Sequence, residues 1–388
     1  MEYSFKKINI EAPFPTTQCG HSSQTNLIYD YHDPLYCRAS SFKDDNNWII
    51  HLSLDLLAFD LKHRNLIQDY LRNYYANNNL HLITSSTHTH YANSVRDDKY
   101  VDYLCNLLKE ELIKMEYKDI NNVTTSYQRI HCTAVGKSRI SDYETNNEYL
   151  GLIKFYENDD NFFNIIYYNC HPTILHANVP YFSSEYPGYV LAKLEKQYPN
   201  IDFTYMQGAA GDISSRFVRS GQDYDALKEL GDKLYNQIID LMKQEVDRKP
   251  LQLEYKEVPL EYEHEFTPID LSQIRADLSE RELETIKLGQ EARKKLEEKN
   301  NPLFTTLIKD IIISSLNLGS IKFIFFPNEI FSEYMNYLDL NKELLVSYSN
   351  GYGPYVLPID FKYITYEMFT DTLTKKTKEK IIEILKTI

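Results

Sequence analysis

The sequence predicts an α/β fold, with a central mixed β-sheet flanked by helices in a single large domain. Three observations support this prediction. The chain has 388 residues, of which 43% are hydrophobic and 25% charged, as in a globular protein with a sizeable core. Short apolar runs alternate with amphipathic segments along the chain. No internal repeat, low-complexity tract or Pro/Gly/Ser-rich linker divides it, so we expect one domain over residues 1–388.

Apolar runs rich in β-branched and aromatic residues predict the strands. The clearest runs are Trp48–Leu57, Leu80–Ser86, Tyr149–Tyr156, Phe162–Asn169, Phe203–Met206 and Ile321–Phe326. Apolar residues spaced three and four apart predict the helices between them. These helices are Leu61–Tyr75, Tyr100–Tyr117, Tyr186–Tyr198 and Tyr224–Val246. Strands that alternate with helices favour a parallel or mixed sheet, whose carboxyl ends form a ligand crevice.

Two later segments are helical by composition. Residues 271–301 are dense in Glu, Lys and Arg with few large apolar positions, which predicts an exposed helical insertion. We interpret this insertion as a solvated surface element, and a lid or a dimer arm is the alternative. The segment 373–388 places lysines beside isoleucine and leucine, which predicts an amphipathic closing helix.

Composition excludes several classes of function. Lys plus Arg total 42 against 56 Asp plus Glu, a net charge of −14, so the chain lacks the basic footprint of a nucleic-acid partner. No run of 18 apolar residues is present, so we expect no transmembrane anchor. The N-terminus lacks an apolar signal region, and the five cysteines form no CxxC pair. These features predict a cytoplasmic protein with reduced thiols.

The strongest local motif follows the predicted strand Leu80–Ser86 and contains His88 and His90. Side chains alternate between the two faces of an extended chain, so both imidazoles are expected on the same side. Two imidazoles at a strand end suit a metal ligand together with a second ligand or an acid/base group. Two surface histidines that begin a loop are the alternative interpretation.

A second strand-like run ends in His171, Pro172 and Thr173. Pro172 stops the strand and pushes the preceding residue into an extended conformation, so His171 should project from a strand end. A hydrogen-bonded structural histidine is the more common role of such a residue taken alone. Together with the first motif, however, His171 supplies a third imidazole.

A third motif follows the strand Phe203–Met206 and contains Asp212, Ser214 and Arg216 among small residues. Small residues allow the backbone to approach a ligand closely. The three polar side chains can orient a metal ligand, bind a substrate oxygen or stabilise an anion. A tight turn with capped polar groups is the alternative, and neither a phosphate-binding loop nor a GxSxG elbow is present.

A carboxylate and two phenols complete the set of candidates. Glu329 follows the strand Ile321–Phe326 and supplies the anionic oxygen that a His/His/Glu zinc site requires. Tyr352 and Tyr355 lie in the glycine-rich turn that comes later. Taken singly, Glu329 is a capping acid and Tyr355 a packed ring.

In their order along the chain, these motifs resemble the catalytic domain of the neutral/alkaline (non-lysosomal) ceramidase family. The resemblance covers nearly the whole chain and rests on eight segments: His32-Asp33-Pro34-Leu35-Tyr36, Ser53-Leu54-Asp55, His88-Thr89-His90, His171-Pro172-Thr173, Tyr186-Pro187-Gly188-Tyr189, Gly211-Asp212-Ile213-Ser214, Pro327-Asn328-Glu329 and Gly353-Pro354-Tyr355-Val356.

The resemblance implies a zinc amidohydrolase. One Zn²⁺ would be held by four side chains, namely His88, His171, Glu329 and Tyr355. The resemblance does not determine whether a second divalent ion, Mg²⁺ or Ca²⁺, also binds. His90 would lie beside the metal and position or protonate the substrate, and Ser214 would contact the scissile amide.

Zinc-activated water is the expected nucleophile, because a serine would need its own base and no Ser-His-Asp order is evident. His90 and Tyr355 are candidates for stabilising the oxyanion or protonating the leaving amine. Asp212, Arg216 and Tyr352 are the expected substrate-binding residues.

The chain also departs from the family pattern. We expect it to lack the signal peptide and the C-terminal immunoglobulin-like domain of the secreted members. Tyr91-Ala92-Asn93 follows the first motif where Ser-Gly is usual, Glu185 replaces an Asp, and Ser215 replaces a Pro. The implied metal ligands survive these changes, whereas the substrate-facing loops differ.

The expected function is therefore hydrolysis of an N-acylated small molecule, which is ceramide-like, an N-acyl amino acid-type lipid or a pathway intermediate. A metal-dependent esterase, lactonase or phosphoesterase on the same site is an alternative, and so is a non-catalytic member of the family. The sequence does not determine whether the protein forms a homo-oligomer.

Overall fold

Strands and helices alternate along the chain, which confirms the predicted α/β class. The computed structural model describes residues 1–20, 26–298 and 310–388, so the last three residues of the segment 271–301 lie outside the described residues. The strands are β1 (Glu2–Asn9), β2 (Tyr36–Lys43), β3 (Trp48–Leu54), β4 (Leu80–Ser86), β5 (Lys118–Asp119), β6 (Val123–His131), β7 (Lys137–Ser138), β8 (Tyr149–Glu157), β9 (Asp160–Tyr168), β10 (Asp202–Gln207), β11 (Ile213–Ser214), β12 (Arg248–Pro250), β13 (Glu254–Glu261), β14 (Asp310–Asn317), β15 (Lys322–Phe325), β16 (Asn328–Ile330), β17 (Glu343–Val346) and β18 (Gly353–Val356).

Six of the seven described α-helices overlap predicted helical segments, whereas the short helix Tyr366–Thr370 was not predicted and the second helix ends at Leu112, before the predicted Tyr117. The described α-helices are α1 (Leu61–Tyr75), α2 (Asp98–Leu112), α3 (Glu185–Gln197), α4 (Tyr224–Met242), α5 (Glu280–Glu297), α6 (Tyr366–Thr370) and α7 (Lys375–Thr387). Short 3₁₀ helices cover Ser215–Phe217, Leu271–Gln273 and Ser332–Tyr337. Helix α2 begins before the predicted Tyr100 because the Asp97 side chain accepts hydrogen bonds from the backbone N–H groups of Lys99 and Tyr100. None of the described helices combines the length and the hydropathy needed to cross a bilayer.

The strands form three larger sheets instead of the single central sheet predicted from the sequence. Their strand orders are β4-β3-β2-β1-β5, β10-β9-β8-β6-β12 and β13-β14-β15-β17. Each sheet is mixed and contains one parallel pair at its edge: β3 with β4, β9 with β10, and β15 with β17. The apolar-run criterion mainly detects strands that are buried on both faces. It therefore misses half-exposed strands such as β13, which alternate polar and apolar residues.

The carboxyl ends of these three parallel pairs meet. The segment after β17 hydrogen-bonds to the end of β4 through Ser86 N to Tyr348 O (3.1 Å) and Asn350 N to Thr84 O (2.8 Å). It also reaches the end of β10 through Ser347 N to Gln207 O (2.9 Å). Each motif of the sequence follows a strand that ends at this junction, so side chains from distant parts of the chain are brought together there.

The segment 271–301 is less exposed than predicted. Helix α5 begins with a capping box between Ser279 and Glu282, and it buries Ile286, Gly289 and Ala292. A Cβ atom at Gly289 would lie 2.7 Å from Phe369 of α6, so the two helices approach closely. The prediction of a solvated element rested on the scarcity of large apolar residues. This packing instead uses small residues, which such a criterion does not detect.

Candidate metal centre and active-site cavity

His88 lies two residues beyond β4 and is fully buried. Its φ angle of 65° places it in the left-handed region, so the chain turns there and is not extended as predicted. Its Nδ1 donates to the Leu57 carbonyl (2.7 Å), and its ring stacks on Tyr348 with 3.7 Å between centroids. The turn still brings His90 close, with 3.4 Å between the two Nε2 atoms. Unfavourable backbone angles of this kind persist where the surrounding structure holds them, often at functional sites.

His171 lies at the end of β9 and is also fully buried. Its Nδ1 donates to the carbonyl of Ala210 (2.6 Å), which orients Nε2 toward Glu329 Oε2 at 3.1 Å. Burial, reinforced by the nearby Arg139, lowers the pKa of His171 to about 4. The imidazole is therefore neutral at neutral pH, which is the state that binds metals.

Glu329 lies in β16 and is 6% exposed. Its Oε2 is 3.1 Å from His171 Nε2 and 3.7 Å from His88 Nε2, while its Oε1 accepts a hydrogen bond from the Tyr352 hydroxyl (2.6 Å). Burial alone would raise the pKa of Glu329, but His88 and His171 hold it well below its usual value. The carboxylate is therefore ionised.

This donor set fits a divalent metal ion. The Nδ1 atoms of His88 and His171 donate to carbonyl acceptors, so each Nε2 is directed at the Glu329 carboxylate. Contacts this short between ring nitrogens and a carboxylate require a proton or a metal cation between the groups. The nitrogens of His88, His90 and His171 also lie within 4.8 Å of one another. Imidazoles oriented by carbonyls, together with a carboxylate, are typical of zinc sites.

Three tyrosines surround this donor set. Tyr352 donates to Glu329, so its hydroxyl supports the carboxylate in addition to lining the cavity. Tyr355 pairs with Glu329 in the ladder between β16 and β18 and also lines the cavity. Tyr348 stacks on His88. The ligand role expected of Tyr355 stays a prediction.

The donor set opens into a cavity of about 820 Å³. Six of the residues singled out in the sequence line it: His90, Ser214, Arg216, Glu329, Tyr352 and Tyr355. The volume suits a substrate of several hundred daltons.

Asp212 does not line this cavity, contrary to the substrate-binding role predicted for it. Its two carboxylate oxygens accept from the backbone N–H and the hydroxyl of Ser332, at 2.7 and 2.8 Å. Burial raises the pKa of Asp212 to about 7. The residue therefore ties the loop after β10 to the 3₁₀ helix Ser332–Tyr337, a contact 120 residues away that local sequence does not reveal.

Ser214 lines the cavity without a general base. Its hydroxyl accepts from the backbone N–H of Arg216 (3.3 Å), and among the described residues no imidazole or carboxylate hydrogen-bonds to it. A serine nucleophile requires such a base. Among the described residues, Ser214 therefore lacks the hydrogen-bonded base that a serine nucleophile requires.

Arg139 is a cavity residue that the sequence analysis missed. Its guanidinium forms an ion pair of 2.7 Å with the buried Glu367 and lies 5.2 Å from the Tyr355 ring centroid. It also donates to the carbonyl of Gly211 (2.6 Å). Arg139 lies outside the motifs, next to the two-residue strand β7, and no local pattern distinguishes it from a surface arginine.

Glu185 supports the loop after His171. It has a φ angle of 57°, is fully buried, and accepts hydrogen bonds from the N–H groups of Ile174 (2.5 Å) and Leu175 (3.0 Å). Burial raises its pKa to about 7. The residue that departs from the family pattern therefore has a structural role beside the metal centre.

The fold closely resembles that of solved ceramidases. The neutral ceramidase from Pseudomonas aeruginosa superposes with a TM-score of 0.75 at 12% identity, over 99% of this chain and 73% of that chain. A ceramidase complexed with C2 gives 0.75 at 13% identity, over 99% and 74%. No known family profile and no curated protein sequence matches this chain. At 12% and 13% identity, the similarity establishes the fold. The family resemblance inferred from the motifs is therefore confirmed for the fold.

Proposed function

We propose that this protein is a zinc-dependent amidohydrolase that cleaves the amide bond of an N-acylated small molecule. One observation carries the proposal: His88, His171 and Glu329 converge beside a cavity of about 820 Å³. The fold adds support, since both solved structures compared above are ceramidases by name.

Four side chains are proposed as the zinc ligands. His88, His171 and Glu329 would hold the ion, and Tyr355 would be the fourth ligand. The outer partners are the carbonyls of Leu57 and Ala210 and the hydroxyl of Tyr352. When bound, zinc supplies a Lewis acid for the scissile carbonyl and lowers the pKa of water at the site to about 7.

Other side chains perform the remaining steps. His90, whose Nε2 is 3.4 Å from that of His88, is placed to transfer a proton to the leaving amine. Arg139 carries a permanent positive charge into the cavity beside Tyr355, where it can stabilise negative charge on the carbonyl oxygen. Ser214 has no base, so we assign it a hydrogen bond to the substrate and not nucleophilic attack.

Several further expectations remain proposals. The described residues contain one cluster of potential metal ligands, formed by His88, His90 and His171. This cluster does not support a second divalent ion. Cytoplasmic location and oligomeric state likewise stay predictions from the sequence.

The experiment that tests the function combines metal analysis with a substrate panel. Purified protein is analysed for zinc by mass spectrometry and incubated with N-acyl amides, esters and phosphoesters that share one acyl chain. We expect one zinc per chain and the release of free acid plus amine from the amides. Chelator-treated protein is the control and should regain activity when zinc is restored. Preferential cleavage of the esters or phosphoesters would contradict the proposal, and so would amide hydrolysis that needs no metal.

A further inference from the structure

Three arginines lie together on one side of the cavity. Arg216 and Arg219 follow Ser214 in the loop after β11, and Arg281 lies in the first turn of α5. Arg216 and Arg219 are half-buried, and Arg281 is exposed at the cavity wall. We call this set the arginine cluster.

The cluster is attached to the backbone that carries His171. Arg219 donates to the carbonyls of Thr173 and Ile174, the latter at 3.3 Å, directly after the His171-Pro172 step. Arg216 lies two residues beyond Ser214, whose backbone forms a β-bridge with His171. The guanidinium of Arg219 and the backbone of Arg216 are therefore both held close to a predicted zinc ligand.

No carboxylate of the described residues forms an ion pair with the arginine cluster. Among the described residues, no carboxylate oxygen lies within 4.0 Å of a side-chain nitrogen of Arg216, Arg219 or Arg281, whereas Arg139 in the same cavity pairs with Glu367 at 2.7 Å. Glu280 and Glu284 line the same cavity but do not reach these nitrogens.

The arginines also act on one another. Burial, followed by repulsion from Arg281, lowers the pKa of both Arg216 and Arg219. The nearby Glu282 partly offsets the charge of Arg216, but its carboxylate is already hydrogen-bonded to Ser279. In a chain of net charge −14, three arginines that line one cavity without an ion-paired carboxylate form an incomplete anion site.

We propose that the arginine cluster binds an anionic group of the substrate, so that the preferred substrate is an anionic N-acyl amide and not a neutral ceramide. The inference rests on the proposed function and adds the class of substrate to it. Guanidinium groups bind carboxylates through paired, charge-assisted hydrogen bonds, and an N-acyl amino acid carries such a carboxylate close to its amide. Phosphate and sulfonate share this chemistry.

The test compares two substrates that differ in one group. An N-acyl amino acid is compared with the N-acyl amino alcohol of the same chain length, in which a neutral CH₂OH replaces the carboxylate. We expect wild-type kcat/KM to favour the acid by about tenfold or more, the value typical of a hydrogen bond to a charged group. Arg216→Gln and Arg281→Gln should each lower kcat/KM for the acid by about tenfold more than they lower kcat/KM for the alcohol.

Lys287→Gln is the matched control. Lys287 is exposed on the same helix as Arg281 and does not line the cavity, so its loss removes one positive charge without touching the cluster. The third substrate tested is an amide of a dicarboxylic acid, which carries its anionic group on the acyl side of the amide bond. Phosphate- and sulfonate-bearing amides identify the anion.

Calorimetry on chelator-treated protein measures binding without turnover. We expect the acid to bind more tightly than the alcohol and to lose this advantage in Arg216→Gln and Arg281→Gln. Equal kcat/KM and equal affinity for acid and alcohol would overturn the inference while leaving amide hydrolysis intact. Tighter binding of the acid in a protein that hydrolyses no amide would instead refute the proposed function and support the anion site.

Discussion

The cavity has two sides that are built differently. On one side Glu329 lines the cavity, with His88 and His171 packed against it. These three residues, which we call the metal floor, are 6% exposed or less, and each has a fixed hydrogen-bond partner. On the other side, which we call the helical wall, residues of α5 line the cavity with exposed side chains such as Arg281 and Leu288. If the proposed function holds, we expect the buried strand ends to carry the chemistry and the exposed helix to carry the selectivity.

The largest effect is expected from His171→Ala on the metal floor. The change removes a ligand, so zinc binding should fail and kcat/KM should fall by more than the roughly 100-fold typical of outer partners. Metal content and turnover are the measurements. His176→Gln is the control, since His176 is an exposed cavity histidine outside the cluster. Full zinc content in His171→Ala would show that the metal floor is wrongly identified.

A smaller effect is expected from Tyr352→Phe, which removes the hydroxyl that supports Glu329. Loss of an outer partner typically lowers metal affinity about 10- to 100-fold. Competition with a zinc chelator measures this affinity, and Tyr337→Phe, at an exposed tyrosine, is the control. Tyr355→Phe should cost more than Tyr352→Phe if Tyr355 is a ligand, and a smaller cost would argue against that assignment.

The third prediction concerns the support behind the metal floor. Because burial raises the pKa of Asp212 from 3.8 to about 7, the folded state keeps a proton that the unfolded state releases. This contribution to stability is fully present below about pH 4 and is lost as the pH rises toward 7, by about 1.4 kcal/mol per unit. An asparagine can accept from the Ser332 N–H and donate to its hydroxyl.

Asp212→Asn should therefore show a flatter dependence of the free energy of unfolding on pH between 4 and 7. Urea denaturation across this range gives the measurement. Asp240→Asn, at an exposed ion pair with Lys243, should keep the wild-type slope. An unchanged slope in Asp212→Asn would mean that Asp212 is ionised in the folded protein.

The smallest effect is expected on the helical wall, from Gly289→Ala. Alanine gains roughly 1 kcal/mol of helix propensity, but its Cβ would lie 2.7 Å from Phe369 and 3.0 Å from the Tyr366 Cα. Overpacking of this kind costs about 1–3 kcal/mol, so we expect a net loss of about 1 kcal/mol. Hydrogen exchange should rise in α5 and α6 while zinc content stays unchanged. Lys287→Ala is the control, and a loss of zinc in Gly289→Ala would contradict the separation of the two sides.

Sequence reasoning succeeded where local pattern decides the structure. The bounds of α1 and β4 agree with the prediction because an amphipathic helix and a buried parallel strand have clear periodicities. The histidines at the ends of β4 and β9 could be identified because polar residues directly follow apolar runs. Glu329 could be identified for the same reason, and all three converge on one site.

Sequence reasoning failed where the outcome depends on distant contacts. The pairing of strands depends on residues far apart in the chain, so the division of the predicted mixed sheet into several sheets could not be read from local sequence. The partner of Asp212 is 120 residues away, and Arg139 carries no local signal. The packing of α5 depends on Gly289 and its fit to α6, which composition does not reveal. The identity of the metal and the substrate stay predictions.

The metal floor lies at the junction where the carboxyl ends of three parallel strand pairs meet, and it combines residues that follow β4 and β9 with Glu329 of β16. A cation bound there would cross-link the first third of the chain to its last third, in the manner of a covalent bridge. Extraction of that ion should therefore lower the melting temperature of the molecule as a whole in one cooperative step, and not merely loosen one loop. The melting temperature and the retention of the ion would then both report the same metal-binding equilibrium.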